Sequence, residues 1–121
     1  MIRRTTLFLF LFLALLPWKE ARCQVPARDS LALVSLYSKT NGPGWTNKAN
    51  WLTGYVQNWY GITVTAGRVT DISLGGNNLT GQLPYKIGGL DALASISLGS
   101  NNLSGELPDS LYLLTNLVSL T

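Results

Sequence analysis

Residues 77–84 read NNLTGQLP and residues 101–108 read NNLSGELP, so almost the same eight-residue segment returns at an offset of 24 residues (77 to 101). The register extends to both sides, and the aligned apolar positions are Val69 with Leu93 and Leu117, Ile72 with Ile96 and Leu120, Leu74 with Leu98, Ile87 with Leu111, and Leu90 with Leu114. A fixed period of this length is typical of a solenoid, in which each unit needs its neighbours to bury its apolar side chains. We therefore assign repeats to 69–92 and 93–116, and the start of a third repeat to 117–121.

Each repeat begins with alternating polar and apolar residues. In the second repeat, ASISL at 94–98 predicts a strand of about five residues with one face buried and the other in solvent. Stacked units would place these strands side by side in a parallel sheet. The glycines and prolines of the repeated octapeptide favour an extended or tightly turned return segment, so no long helix is expected there.

Asn77 and Asn101 stand where the chain must turn after each strand. A side-chain amide at such a turn can pair with backbone groups that the turn leaves free, and an unpaired buried polar group costs about 1–3 kcal/mol. We therefore expect Asn77 and Asn101 to be buried and to form a structural, hydrogen-bonded ladder.

The repeated octapeptides resemble the plant-type subclass of leucine-rich repeats, and WYGITV at 59–64, followed by RVT at 68–70, is similar to the amino-terminal cap of that family. The matches cover roughly residues 29–121. Caps of plant members usually carry paired cysteines near this segment, where this chain has Gln57 and Val64. The resemblance therefore suggests a cysteine-less, bacterial-type secreted relative. It implies an α/β fold: a leucine-rich-repeat solenoid with short parallel strands on the concave face, a helical amino-terminal cap, and few or no long helices in the repeats.

The region 24–68 is predicted to be this capping region. Asp29 or Ser30 can cap a helix over about 29–39, and Asn41 with the following glycine provides a stop signal. Three tryptophans follow, at positions Trp45, Trp51 and Trp59. We interpret them as a plug for the open end of the solenoid, with carbohydrate stacking as the alternative.

Residues 1–23 have the layout of a secretory signal peptide. The apolar run Leu7–Leu16 is about half as long as the roughly 20 residues that a membrane-spanning helix needs. Small residues at Ala21 and Cys23 fit cleavage before Gln24, while cleavage after Ala21 and lipidation of Cys23 are the alternatives. We expect a secreted, extracellular or cell-surface protein with no membrane span in this segment.

Removal of the leader also removes the basic excess of the chain. Its net charge is +3, but the leader holds four of the nine basic residues and one of the six acidic residues, which leaves five of each. Nucleic-acid binding therefore has no support from the sequence. The chain has no histidine, and its one cysteine lies in the leader. We expect no enzymatic activity, metal or cofactor, because the commonest general base, the thiol nucleophile and most zinc ligands are missing.

The candidate ligand surface consists of the outward-facing strand residues. They are Asp71, Ser73, Ser95, Ser97 and Ser119. Ligands bind the concave strip in this family, so the resemblance implies a binding scaffold for an unidentified protein or glycan. The strip lacks the Trp, Tyr and Arg anchors that usually dominate interfaces. An alternative is that these repeats are spacers and that recognition resides beyond Thr121.

Asn78 and Asn102 each begin an N-glycosylation acceptor pattern, and we expect both to be modified in a eukaryotic host.

The third repeat stops inside its strand, which suggests an amino-terminal fragment of a longer protein. The alternative functions are the ectodomain of a receptor kinase-like protein, the binding appendage of an extracellular enzyme, and a polygalacturonase inhibitor.

Overall fold

The computed structural model describes residues 25–120. The predicted signal peptide, Gln24 and Thr121 lie outside this range, as does the side chain of Ser119. Within it, one α-helix, α1 (Ala27–Lys39), precedes the strands β1 (Ile62–Thr65), β2 (Arg68–Ser73), β3 (Thr80–Gly81), β4 (Ser95–Ser97), β5 (Asn102–Leu103) and β6 (Ser119–Leu120). Short 3-10 helices occupy Gly42–Gly44, Val56–Asn58, Tyr85–Gly89 and Asp109–Leu113.

The strands form two sheets whose register follows the repeat. The larger sheet has the order β1-β2-β4-β6, with β1 antiparallel to β2 and the other neighbours parallel. Ile72 lies beside Ile96, and Ile96 lies beside Leu120. A slip of one residue would turn these side chains to solvent, so burial fixes the register. The smaller sheet pairs β3 with β5 in parallel.

The leucine-rich-repeat solenoid predicted from the sequence is confirmed by this arrangement. One difference concerns strand length, because β4 has three residues where about five were expected. The return segments contain 3-10 helices of five residues. The proline and glycine residues of the return segments limit regular helix formation, as predicted. The boundaries assigned to the cap and to each repeat stay predictions.

The interior is a single cluster of apolar side chains that runs from the cap through both repeats. Its fully buried members include Leu33, Leu36, Ile72, Leu74, Leu79, Ile87, Leu90, Leu93 and Ile96. Full burial of such a side chain contributes about 1.5–3 kcal/mol. Since residues from the helix and from both repeats share this cluster, the cap and the repeats stabilise one another.

The prediction that Asp29 or Ser30 caps α1 is wrong. The helix begins at Ala27, its N-cap is Pro26, and Pro26 makes no side-chain capping bond. Asp29 lies in the first turn and is buried, where its carboxylate accepts hydrogen bonds from Arg68 and Val69. Its oxygens are therefore used for a tertiary contact. The helix ends at Lys39, as predicted.

The three tryptophans of the cap are buried and pack on one another. Ring centroids of Trp45 and Trp51 are 4.8 Å apart, and those of Trp51 and Trp59 are 4.9 Å apart. Each indole Nε1 donates a hydrogen bond to a backbone carbonyl, at 2.7–3.0 Å. Because buried rings leave no open face for a sugar, the geometry supports the plug interpretation over carbohydrate stacking.

Candidate recognition surface

The solvent face of the larger sheet brings together four of the five predicted ligand-binding residues. Asp71 lies beside Ser95, and Ser73 lies beside Ser97, on the parallel strands β2 and β4. Ser73 is exposed and the other three are half-buried. The backbone of Ser119 pairs with that of Ser95, while its side chain lies outside the described part. We call this surface the sheet face; its role in ligand binding stays a prediction.

The structure adds Thr63 to the sheet face. Thr63 pairs with Asp71 across the antiparallel β1-β2 hairpin, and its side chain is exposed. The repeat comparison missed it because β1 belongs to the cap and has no counterpart 24 residues later. A signal was present nonetheless, since ITVT at 62–65 has the alternating pattern of a half-buried strand.

The sheet face offers hydrogen-bonding groups and one charge. Neighbouring parallel strands are about 4.8 Å apart, so the hydroxyls stand in regular rows. The ion pairs among residues 25–120 all involve Arg28 or Arg68, and none includes Asp71. The described residues contain no group of three His, Cys, Asp or Glu side chains placed to hold a metal ion. The arrangement is therefore suited to recognition by hydrogen bonds.

The predicted asparagine ladder is built from side-chain to backbone hydrogen bonds. The Asn101 Oδ1 accepts bonds from the backbone amides of Asn77 and Leu79, at 2.9 and 3.0 Å. Its Nδ2 donates to the carbonyls of Leu74 and Leu98, at 2.9 and 2.8 Å. One side chain thus fastens the turn of its own repeat to the preceding one.

Asn77 makes the equivalent connection to the cap. Its Oδ1 accepts a bond from the Asn47 amide at 2.7 Å, and its Nδ2 donates to the Asn47 carbonyl at 2.8 Å. Asn77 is 3% exposed, as expected, because it lies between the cap and the second repeat. Asn101 is only half-buried, which differs from the expectation, since the described residues cover it mainly from the side of the first repeat.

We predict that Asn101→Ala lowers the free energy of unfolding by about 2 kcal/mol, because the amides of Asn77 and Leu79 lose their acceptor. Asn102→Ala is the matched control. Asn102 is the adjacent, exposed residue, and we expect its replacement to change stability by less than about 0.5 kcal/mol. Urea unfolding of both variants, expressed without glycosylation, measures the difference. Equal losses would contradict a structural role specific to Asn101.

A charged network ties the cap helix to the first repeat. The Arg68 guanidinium donates to the buried Asp29 carboxylate at 3.0 and 2.9 Å, and it also bonds to Asp91, which pairs with Arg28 at 3.2 Å. Hydrogen bonds to Asp29 and Asp91 raise the pKa of Arg68. The bond from Arg68 holds the pKa of Asp91 below its usual range. Arg68 therefore stays charged, and the network fixes α1 against β2 and the loop before β4.

The two candidate glycosylation sites lie at the surface. Asn78 and Asn102 are both exposed, and the Asn78 Nδ2 donates to the Gly44 carbonyl at 2.9 Å. Their modification stays a prediction.

Between residues 25 and 120, no helix combines the length and the hydrophobicity that crossing a bilayer requires.

Known proteins share the repeat and the fold. The Leucine Rich Repeat family model matches residues 92–114. No curated protein matches the sequence. Among solved structures, PEPR1–AtPEP1 is similar with a TM-score of 0.65 and 28% identity, over 76% of this chain and 14% of that one. A plant ice-binding protein is similar with a TM-score of 0.68 and 25% identity, over 80% of this chain and 32% of that one.

The BIR2 ectodomain from Arabidopsis thaliana is similar with a TM-score of 0.68 and 25% identity, over 80% of this chain and 54% of that one. The chain thus spans 14–54% of the lengths of these three proteins. The ice-binding protein and BIR2 are plant proteins, whereas the missing cysteines had favoured a bacterial-type relative. The repeat match, the parallel register and the shared fold support the interpretation of the chain as part of a plant-type leucine-rich-repeat protein.

Proposed function

We propose that the chain is a secreted, non-catalytic recognition scaffold that binds a protein ligand through its sheet face. The observation that carries the proposal is the parallel register of β2 and β4, which sets Asp71 and Ser73 beside Ser95 and Ser97. Inward-facing side chains fill the core, and the asparagines fasten the turns. The outward-facing side chains are therefore the ones left for a ligand. A glycan is the alternative ligand.

Relatives of similar fold support this proposal. PEPR1 was solved with AtPEP1, and the BIR2 structure is an ectodomain. Both proteins are longer than this chain, so the inference concerns the type of surface and leaves the ligand open. Serine hydroxyls on the sheet face lack a histidine that could activate them as nucleophiles, since the chain contains none. This chemistry is consistent with binding without catalysis.

A peptide-display experiment tests the proposal. The full chain is panned against a random peptide library, and the affinities of the selected peptides are measured for Ser73→Arg and Ser38→Arg. Ser73 lies on the sheet face, whereas Ser38 is an exposed residue of α1. We expect Ser73→Arg to weaken binding at least about tenfold, because an arginine would obstruct a central interface position. Ser38→Arg should leave the affinity unchanged.

Two results would oppose the proposal: peptides that bind both variants as tightly as the parent chain, or peptides that lose affinity only with Ser38→Arg. Circular dichroism shows whether each variant keeps the parent fold. A reduced affinity of Ser73→Arg supports the sheet face only if that variant is folded. The comparison therefore separates a blocked surface from a disrupted one.

A receptor ectodomain is the second candidate function. The similarity to the BIR2 ectodomain, over 80% of this chain, favours it. The full transcript would distinguish the two: about 20 apolar residues followed by a kinase-like region indicate a receptor. A catalytic domain in that position would instead support the binding appendage of an extracellular enzyme.

A further inference from the structure

A groove of about 330 Å³ lies on the side of the fold, between α1 and the 3-10 helices of the two return segments. Its apolar wall is formed by Leu31, Tyr85 and Leu113, which are 54%, 72% and 59% exposed. Large side chains at such exposures leave apolar surface in water. The volume is at the lower end of the roughly 300–1,000 Å³ that is usual for small-molecule sites.

Two glycines are among the residues that line the groove. Gly88 and Gly89 line it, whereas the second repeat carries Tyr112 and Leu113 at the matching positions, 24 residues later (88 to 112). A side chain at Gly88 would collide with Ser110, so packing requires a glycine there. A Cβ at Gly89 would meet only the Arg28 carbonyl oxygen, at 3.7 Å, an ordinary contact distance. The packing of the fold therefore does not require a glycine at position 89.

The charged residues that line the groove are both basic. Lys86 and Arg28 line it, and no acidic residue does. Arg28 pairs with Asp91 at 3.2 Å, while Lys86 makes no ion pair within residues 25–120. An apolar ligand that ends in an anionic group would complement both features. Its apolar part would cover Leu31 and Leu113, and its anion would lie near Lys86.

We propose that this groove binds a small amphipathic anion, of the size and chemistry of a medium-chain carboxylate. The site is separate from the sheet face, because its lining comes from α1 and the return segments. The carboxylate would gain a cation at Lys86, and the alkyl chain would leave water against the exposed leucines. Each apolar carbon that becomes covered adds to the binding through the hydrophobic effect.

The test is a nuclear magnetic resonance titration of the full chain with octanoate, and with 1-octanol as the uncharged probe. Octanoate is expected to shift the amide resonances of Gly89 and Leu113 in a saturable way. Gly89→Leu, which installs the residue type of the second repeat, should abolish binding of both probes. Lys86→Gln should weaken octanoate binding about threefold to fivefold and leave 1-octanol unchanged.

Lys39→Gln is the matched control, because Lys39 is an exposed lysine of α1 that does not line the groove. It should bind octanoate like the parent chain. The proposal is overturned if octanoate shows no saturable shift, if Gly89→Leu still binds it, or if Lys39→Gln weakens it as much as Lys86→Gln. It is also overturned if the parent chain sediments as a dimer and Gly89→Leu as a monomer, since a second copy would then occupy the groove. Should Gly89→Leu fail to fold, the contrast between the two lysine variants still decides.

Discussion

Replacing Arg68 by alanine is expected to lower the free energy of unfolding by about 3–5 kcal/mol, because the change leaves a buried carboxylate without its cation. Asp29 has 0% exposed surface, and in the parent chain it accepts two bonds from Arg68 and one from the amide of Val69. Only the Val69 bond would remain in the variant. Urea unfolding followed by tryptophan fluorescence measures the loss, since the buried indoles of the cap report on this region.

Arg28→Ala is the control for this prediction, because it removes an arginine from the same network. The Arg28 side chain is 57% exposed, and its partner Asp91 is 43% exposed. Such a solvent-screened pair contributes about 0–1 kcal/mol. A loss for Arg68→Ala no larger than that for Arg28→Ala would show that the buried pair is not what holds α1 to the sheet.

The repeats could be predicted from the sequence because their interactions recur at a fixed offset. Ile72 and Ile96 align in sequence and then lie side by side in the sheet. The role of the asparagines at the turns could also be predicted from the sequence, because an amide side chain can both donate hydrogen bonds to a turn and accept them from it. The Arg68 to Asp29 contact spans 39 residues and occurs once. No repeating pattern in the sequence indicates such a contact, so the sequence alone predicts a local helix-capping role for Asp29.

The sheet face and the side groove also differ in how far the sequence predicts them. Alternation along β2 and β4 was enough to place Asp71 and Ser95 on one face. The side groove depends on the distance between α1 and the return segments, which no local pattern contains. Its one sequence signal is the pair Gly88 and Gly89, where the next repeat has large side chains. A position at which the two repeats differ therefore indicates a candidate site, whereas the positions that they share do not indicate it.

The second large effect is expected for Gly81→Ala, which should lower the free energy of unfolding by about 3 kcal/mol or more. Gly81 has a φ of 89°, a conformation that L residues rarely adopt. A Cβ at this position would also collide with the carbonyl oxygen of Lys39, the last residue of α1. That oxygen belongs to the backbone, so no side-chain rotation can relieve the overlap. Urea unfolding of the full chain measures the loss.

Two other glycines separate the cost of conformation from the cost of collision. Gly67 has a φ of 76° with no atom within 4 Å of a Cβ, so Gly67→Ala should cost only about 1–2 kcal/mol. Gly105 occupies the same motif position as Gly81, but a Cβ there meets the flexible side chain of Gln82, which can move aside. Gly105→Ala should therefore resemble Gly67→Ala. Equal losses for Gly81→Ala and Gly105→Ala would mean that the end of α1 does not press on the first repeat. A larger loss for Gly81→Ala gives the free-energy cost of moving the end of α1 away from the first repeat.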